Sequence, residues 1–153
     1  MKWKYPPIIK IYEALGSVAD GRVEVEGEST KVYSSSGNKF YIVHHDLKSN
    51  AIMTNDNGSY WKGYLGYPAI AYLLKVNILP YREELGELLK GVAWKDINQK
   101  FKNDFDKTLE YVFSKINSSK TEELRSYVKN LLKEIEKLNL HLLGSKIKPP
   151  EGY

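Results

Sequence analysis

No cysteine occurs in the 153 residues. That absence excludes a disulfide framework, a thiolate metal site and a cysteine nucleophile. No apolar run approaches the roughly 20 residues needed to span a bilayer. The opening "MKWKYPPIIKIYEALG" interrupts its apolar stretch at Lys10 and Glu13 and lacks a small-residue cleavage motif. It therefore reads as mature protein rather than a signal peptide, and a cytoplasmic location is the expectation. On that reading the sequons at Asn57 and Asn117 carry no weight. The chain also lacks a Gly-Lys-Ser/Thr phosphate loop, a Gly-x-Ser-x-Gly elbow and a basic tail.

What is present suits a folded protein, with 42% hydrophobic and 27% charged residues. A net charge of +4 permits contact with nucleic acid but does not demand it, because no basic block concentrates the charge. Abundant Lys and Glu beside only two methionines is a composition also found in heat-adapted proteins.

The pattern predicts an α+β protein forming a single domain over 1–153, with a helix and β-meander in 1–65, helices in 66–143 and a flexible tail in 144–153. Pro6 and Pro7 stand where a helix start tolerates a missing N–H, and Ile8, Ile11, Tyr12 and Leu15 recur at helical spacing up to Asp20-Gly21. Period-two alternation then predicts about four antiparallel strands, in "RVEVE", "STKVYS", "KFYIVHH" and around 51–54. Pro68 opens a further helix, and a short one follows Pro80. A long helix is expected from Trp94 to Ile116, on the stripe Trp94, Ile97, Phe101, Phe105, Leu109, Val112. After a break at 117–119, Ser119 and Glu122 have capping-box spacing. The last helix is expected to carry Leu124, Val128, Leu131, Ile135, Leu138 and Leu142 until Gly144. These two long helices are expected to pair as an antiparallel hairpin.

Candidate chemistry is sparse. His44, His45 and Asp46 look like a metal or acid–base cluster, but adjacent strand residues point to opposite faces, so the imidazoles do not converge. His141 lies near a helix C-terminus, where a cation is mildly favoured. Asn55-Asp56-Asn57-Gly58 resembles part of a calcium loop, yet Met53 and Tyr64 would occupy its first and twelfth positions, and neither is a carboxylate. Asp104, Asp106 and Glu110 alternate with lysines as on a solvated helix face. No cofactor, metal or catalytic group is expected.

One resemblance rests on "KVYSSSGNKFYIVHHDLKSNAIMTNDNGSYWKGYLGYPAIAYLL", residues 31–74. Val32, Ser34, Ser36, Gly37, Tyr41 and Val43, followed by Ile70, Leu73 and Leu74, make this segment similar to the SWIM zinc-finger scaffold. In that family a Cys-x-Cys pair ends a strand and a Cys-x-His pair opens a helix. Here those places fall near Thr54 and Asp56, and near Tyr67 and Ala69, so the tetrahedral N/S ligand set is missing. The resemblance implies a metal-free relative with DNA binding or protein interaction as its role, including accessory work beside recombination proteins. Without a metal, the 55–67 loop is expected to be held by an aromatic plug of Tyr60, Trp61, Tyr64 and Tyr67, with Gly58, Gly63 and Gly66 allowing tight turns.

Two functional classes follow. The first is a non-catalytic module for single-stranded nucleic acid or a recombination or repair partner. It would use an outer sheet face of Arg22, Lys31, Tyr33, Lys39, Tyr41 and His45 with Lys62, where cations alternate with flat rings; Glu24 and Glu26 oppose it. The second is a protein-interaction or assembly subunit, associating with itself or a partner through the helices of 94–142.

Overall fold

The computed structural model describes residues 1–116 and 119–151. The protein is α+β, with an N-terminal helix, a five-stranded and mostly antiparallel sheet, and helices in its C-terminal half. Helix α1 spans Ile8–Ala19, begins after Pro7 and ends at Asp20; Gly21 follows in the left-handed region at φ +70°. It buries Ile9, Ile11, Tyr12 and Leu15, the face that its apolar spacing dictates.

Strands β1 (Val23–Glu26), β2 (Ser29–Tyr33), β3 (Phe40–Asp46) and β4 (Ala51–Thr54) form the meander in chain order. Val23 lies opposite Val32, Val32 opposite Tyr41, Thr30 opposite Val43 and Val43 opposite Thr54. These residues share the face that helix α2 (Tyr67–Lys75) and α1 cover, with Ala69, Ile70, Leu73 and Leu74 buried between the layers. Helix α3 (Glu83–Gly86) runs into a single 3₁₀ turn at Glu87–Leu89, and Leu85 and Leu89 close the core near α1.

The predicted long helix from Trp94 is two helices, α4 (Trp94–Lys100) and α5 (Phe105–Lys115). Lys102 and Asn103 take left-handed backbone, at φ +53° and +62°, and Asp104 caps α5 by accepting from the Lys107 amide at 3.2 Å. Asparagine tolerates that conformation and aspartate is a strong N-cap, so a polar signal overrides the apolar stripe. Helix α6 (Thr121–Leu138) starts after Lys120 without a side-chain cap, so the Ser119–Glu122 box does not form. The predicted break at 117–118 lies outside the described residues.

Helix α6 also stops short of Leu142. Asn139 ends it in the left-handed region at φ +51°, and the Asn50 amide donates to the Leu138 and Asn139 carbonyls at 2.8 and 3.1 Å. His141–Leu142 then forms β5, a fifth strand parallel to β4. Leu124, Val128, Leu131 and Ile135, the stripe assigned to partner pairing, are buried in this chain's own core. In the 144–151 segment Lys146 donates to the Tyr60 carbonyl at 3.3 Å and Pro149 is buried; residues 152–153 lie outside the described set. Among the described residues no helix is long and apolar enough to cross a membrane.

The N-terminus straps across one sheet end. Trp3 donates from its indole to the Ile52 carbonyl at 2.9 Å and from its amide to the Leu140 carbonyl at 3.0 Å, and it is buried. Trp3→Ala is expected to cost about 3–5 kcal/mol of unfolding free energy, as for truncating a buried aromatic. Urea denaturation checks this, and a change under about 0.5 kcal/mol would mean that the strap is dispensable.

Candidate functional site

The loop between β4 and α2 is built around one carboxylate. Asp56 accepts from the Thr54 hydroxyl at 2.9 Å, the Ser59 hydroxyl at 2.7 Å and the Ser59 amide at 3.2 Å. The Ser59 oxygen in turn accepts from the Gly66 amide at 3.0 Å, and Asn55 accepts from the Ile42 amide at 2.8 Å. Thr54, Asn55, Asp56 and Ser59 are all buried. A Cβ at Gly66 would collide with the Asp56 carboxylate, so glycine is required there by the closeness of the hub. One π-helical turn, Gly58–Lys62, fills the loop and ends at Gly63 with φ +76°.

This hub corrects the expected aromatic plug. Trp61 is 65% exposed and meets Tyr60 edge to face at 4.7 Å. Tyr64 lies over Gly58, where a side chain would strike its ring, and Tyr67 meets Tyr41 at 6.0 Å. The four rings do not form one cluster; Trp61, Tyr64 and Tyr67 instead line a cleft of about 850 Å³. Its size is within the range of about 300–1,000 Å³ for small-ligand sites.

The cleft lies between α1, the rim of the sheet, the 56–67 loop and the α4–α5 elbow. Its floor carries charge. Glu13 and Asn98 are 5% and 7% exposed, and the Asn98 amide donates to Glu13 Oε1 at 2.9 Å. A carboxylate only accepts, so this bond turns Asn98 Oδ1 away from Glu13 as an acceptor. Lys10 lies 2.9 Å from Glu13 Oε2 and over the Phe105 ring at 5.0 Å. The α4–α5 elbow delivers Phe105 to that position, and Gly16 leaves room for the Trp94 indole, whose Nε1 would stand 2.8 Å from a Cβ there.

Five buried polar atoms have no hydrogen-bond partner among the described residues, and four belong to residues lining this cleft: Glu13 Oε2, Arg22 Nη2, Trp94 Nε1 and Asn98 Oδ1. Glu13 Oε2 keeps its ion pair with Lys10 and the Arg22 guanidinium pairs through Nε with Asp20, but Trp94 Nε1 and Asn98 Oδ1 have nothing comparable among the described residues. Buried polar groups are normally satisfied, so their concentration in one hollow marks a place where a ligand or ordered water completes the bonding.

The ionisation pattern follows from the same crowding. Burial alone depresses the Lys10 ammonium, but Glu13, Tyr64 and Asp56 together outweigh it and hold Lys10 above its ordinary value. Burial pushes the Tyr67 phenol well up, helped by Tyr41 and Glu13 and opposed by Arg22. Tyr64 is raised chiefly by burial, against the pull of Lys10.

The predicted outer face divides. Tyr41 is buried on the helix-covered face with Val32 and Val43, and reaches the cleft from inside. Phe40, not Tyr41, points outward, with Tyr33 at 5.7 Å and Lys31 5.0 Å above its ring. Tyr33 donates to Glu24 at 3.4 Å. In a strand a slip of one residue exchanges the faces, which is why the expected grouping fails. His45 lies at the far end of the inner face, with Nδ1 3.1 Å from the Tyr72 hydroxyl and its pKa lowered by burial against Asp46; His44 points away to Ser29. His141 is exposed on β5. Arg22 and Lys62 do line the cleft; Lys39 does not, but its Nζ stands 5.8 Å from the centre of the Tyr41 ring that does, and burial and nearby Lys95 lower its pKa. Among the described residues no group of three or more His, Asp or Glu comes together as a metal site.

Lys10, Glu13, Trp94 and Asn98 are not among the site residues that the sequence reading names, and Asp56 enters it only in the calcium-loop comparison and at a missing ligand place. The usable signals were Glu13 on an otherwise apolar helix face and the i, i+4 spacing of Trp94 and Asn98.

The fold and cleft define a small α+β protein with a polar, aromatic-walled hollow between its helices and its sheet. The chain belongs to the family described as "Uncharacterised conserved protein UCP014422", whose model matches residues 3–141. No curated protein and no solved structure matches the chain.

Two outcomes follow from the hub and the buried phenols. Asp56→Ala orphans buried donors and is expected to cost about 1–3 kcal/mol for each one left unpaired, whereas Trp61→Ala is expected to change stability by under about 0.5 kcal/mol. The reverse order in urea denaturation would restore the plug. For pH, Tyr64 and Tyr67 lie above the ordinary 10.0 and Tyr81 rises to about 12, mainly through burial. The native state therefore keeps protons that the unfolded chain has released, so stability present below pH 10.0 falls as pH rises towards about 12. Tyrosinate absorbance should show these phenols ionising only as the fold is lost; full, reversible titration of all 12 tyrosines in the folded protein would contradict it.

Proposed function

We propose that the chain is a non-catalytic, cytoplasmic binding module whose cleft takes an unpaired nucleotide of single-stranded nucleic acid. The observation that carries this reading is the combination of a solvent-facing ring at the mouth, Trp61, with cations Lys10, Arg22, Lys62 and Lys95 in one hollow. Against these four cations the cleft sets two carboxylates, Glu13 and Asp56, so its lining is net positive. A flat ring offers a stacking surface for a base, and cations accept the phosphates. The outer sheet face, where Glu24 meets Tyr33, supports this function less well.

The SWIM resemblance stays compatible with this proposal. Thr54 and Asp56, at the places of the first ligand pair, are joined through Ser59 to Gly66 beside the second. We read this hydrogen-bonded hub as the stand-in for a metal in a metal-free relative. A partner-docking role for α5 and α6 as an antiparallel hairpin has less support, because the apolar stripe of α6 is used inside the chain.

The test is fluorescence anisotropy of a labelled single strand across a salt series. Each neutralised phosphate contributes a log–log slope of roughly −0.7, so three or four contacts give a slope on the order of −2 to −3. Trp61→Ala is expected to weaken binding by about 1–3 kcal/mol through lost stacking without altering the slope. If no strand binds even at low salt, the reading fails.

A further inference from the structure

The two ends of the cleft differ in charge. At one end Glu13 and Asp56 surround Lys10. At the other, the turn after β2 gathers cations around serine hydroxyls. Arg22 donates from Nη1 to the Tyr33 carbonyl at 2.7 Å and pairs through Nε with Asp20 at 3.1 Å, which fixes its guanidinium beside Ser34. Its remaining nitrogen, Nη2, is buried without a hydrogen-bond partner among the described residues. The Lys95 amide donates to the Ser35 hydroxyl oxygen at 3.1 Å, holding Lys95 to the same turn. Lys39 joins them from the turn's other limb, where its carbonyl accepts from the Ser34 amide at 2.9 Å. Burial and then the nearby Lys95 charge lower the Lys39 ammonium below its ordinary value. Like charges are held together here by the fold.

We infer that this end of the cleft is a phosphomonoester subsite, built by Arg22, Lys95 and Lys39 around Ser34 and Ser35, and that it takes the terminal phosphate of a nucleotide. The inference rests on the nucleotide reading above and makes it narrower. A monoester carries about −1.5 to −2 charges at neutral pH and three acceptor oxygens, against one charge on a diester. Three cations and two hydroxyls therefore match the monoester better, and a guanidinium with a spare N–H suits its oxygens. A strand threading through the cleft would carry its next phosphates past Glu13 and Asp56, which offset Lys10 and Lys62 and leave little net attraction for them. A phosphorylated end avoids that loss, because only the base and sugar reach the acidic end. There Asn98 Oδ1 has no partner among the described residues and accepts, which suits an amino group on the edge of a nucleobase.

The experiment compares single strands of one sequence in competition against a labelled strand bound to the full chain. One has a terminal phosphate (at the 5′ or the 3′ end), one has hydroxyls at both ends, and one is closed into a circle. The expected result is that one phosphorylated strand binds about tenfold or more tighter than the hydroxyl strand, the size of one added charge-assisted contact, and that the circle competes poorly. Lys95→Ala should bring the phosphorylated and hydroxyl strands to nearly equal affinity, weakening the phosphorylated strand more than the hydroxyl one, while leaving the melting temperature unchanged. A nucleoside monophosphate that competes as well as the phosphorylated strand also supports the subsite and assigns it to free nucleotides. Equal affinity for all three strands overturns the subsite while strand binding stands. If no strand and no nucleoside monophosphate binds, the broader nucleotide reading falls with it.

Discussion

The Asp56 carboxylate is the contact on which the rest of the site depends. A buried carboxylate is costly unless its lone pairs are occupied, and Thr54 and Ser59 occupy them. The Ser59 bond to Gly66 then ties the end of the meander to the start of α2. With both ends held, the π-helical turn between them has one way to project Trp61 outward and lay Tyr64 over Gly58. The N-terminal strap adds to the clamp, since Lys4 exchanges backbone bonds with Gly63 and Leu65 at 3.0 and 3.1 Å.

Across the cleft, the chain from Lys10 through Glu13 to Asn98 joins α1 to α4 by charge-assisted bonds. Such a network is stable only when each member is satisfied, because the same low polarity that strengthens its bonds also raises the cost of every missing one. Among the described residues Asn98 Oδ1 has no partner in this network, and Trp94 Nε1 and Arg22 Nη2, also on residues that line the cleft, have none either. A core selected for stability alone would replace them with apolar side chains of similar shape, so their presence in one hollow argues for a bound group that supplies their partners. That group must offer a hydrogen-bond donor to the asparagine and an acceptor to the guanidinium.

Much of the fold was legible because its apolar periodicities are regular. The boundaries of α1 follow from Pro7 and Asp20-Gly21, and the meander follows from alternation and turn residues. Two features were hidden because polar backbone chemistry overrode an apolar pattern, and a third because either face of β3 could fill the core. Asn103-Asp104 divides the stripe that suggested a single long helix, and Asn139 turns what read as the last helical turn into β5. Tyr41 took the inner face because Phe40, equally able to fill a core, was left on the outer one. The cleft was harder still to foresee. Lys10 and Glu13 come from α1, Asp56 from a loop and Asn98 from α4, so no local spacing connects them. Glu13 on an otherwise apolar helix face and the i, i+4 spacing of Trp94 and Asn98 were the hints to it.

The three tryptophans stand as reporters in different places: Trp61 at the mouth of the cleft, Trp94 at its floor and Trp3 in the N-terminal strap. Each indole N–H gives one resolvable signal in a nitrogen–proton correlation spectrum, so the most direct measurement is that spectrum during titration with a short, terminally phosphorylated single strand. If the cleft is the binding site, the Trp61 and Trp94 signals move together along one saturable curve while Trp3 stays fixed. A strand that binds and saturates with both cleft indoles unmoved would contradict the account, because the nucleotide would then lie elsewhere on the molecule.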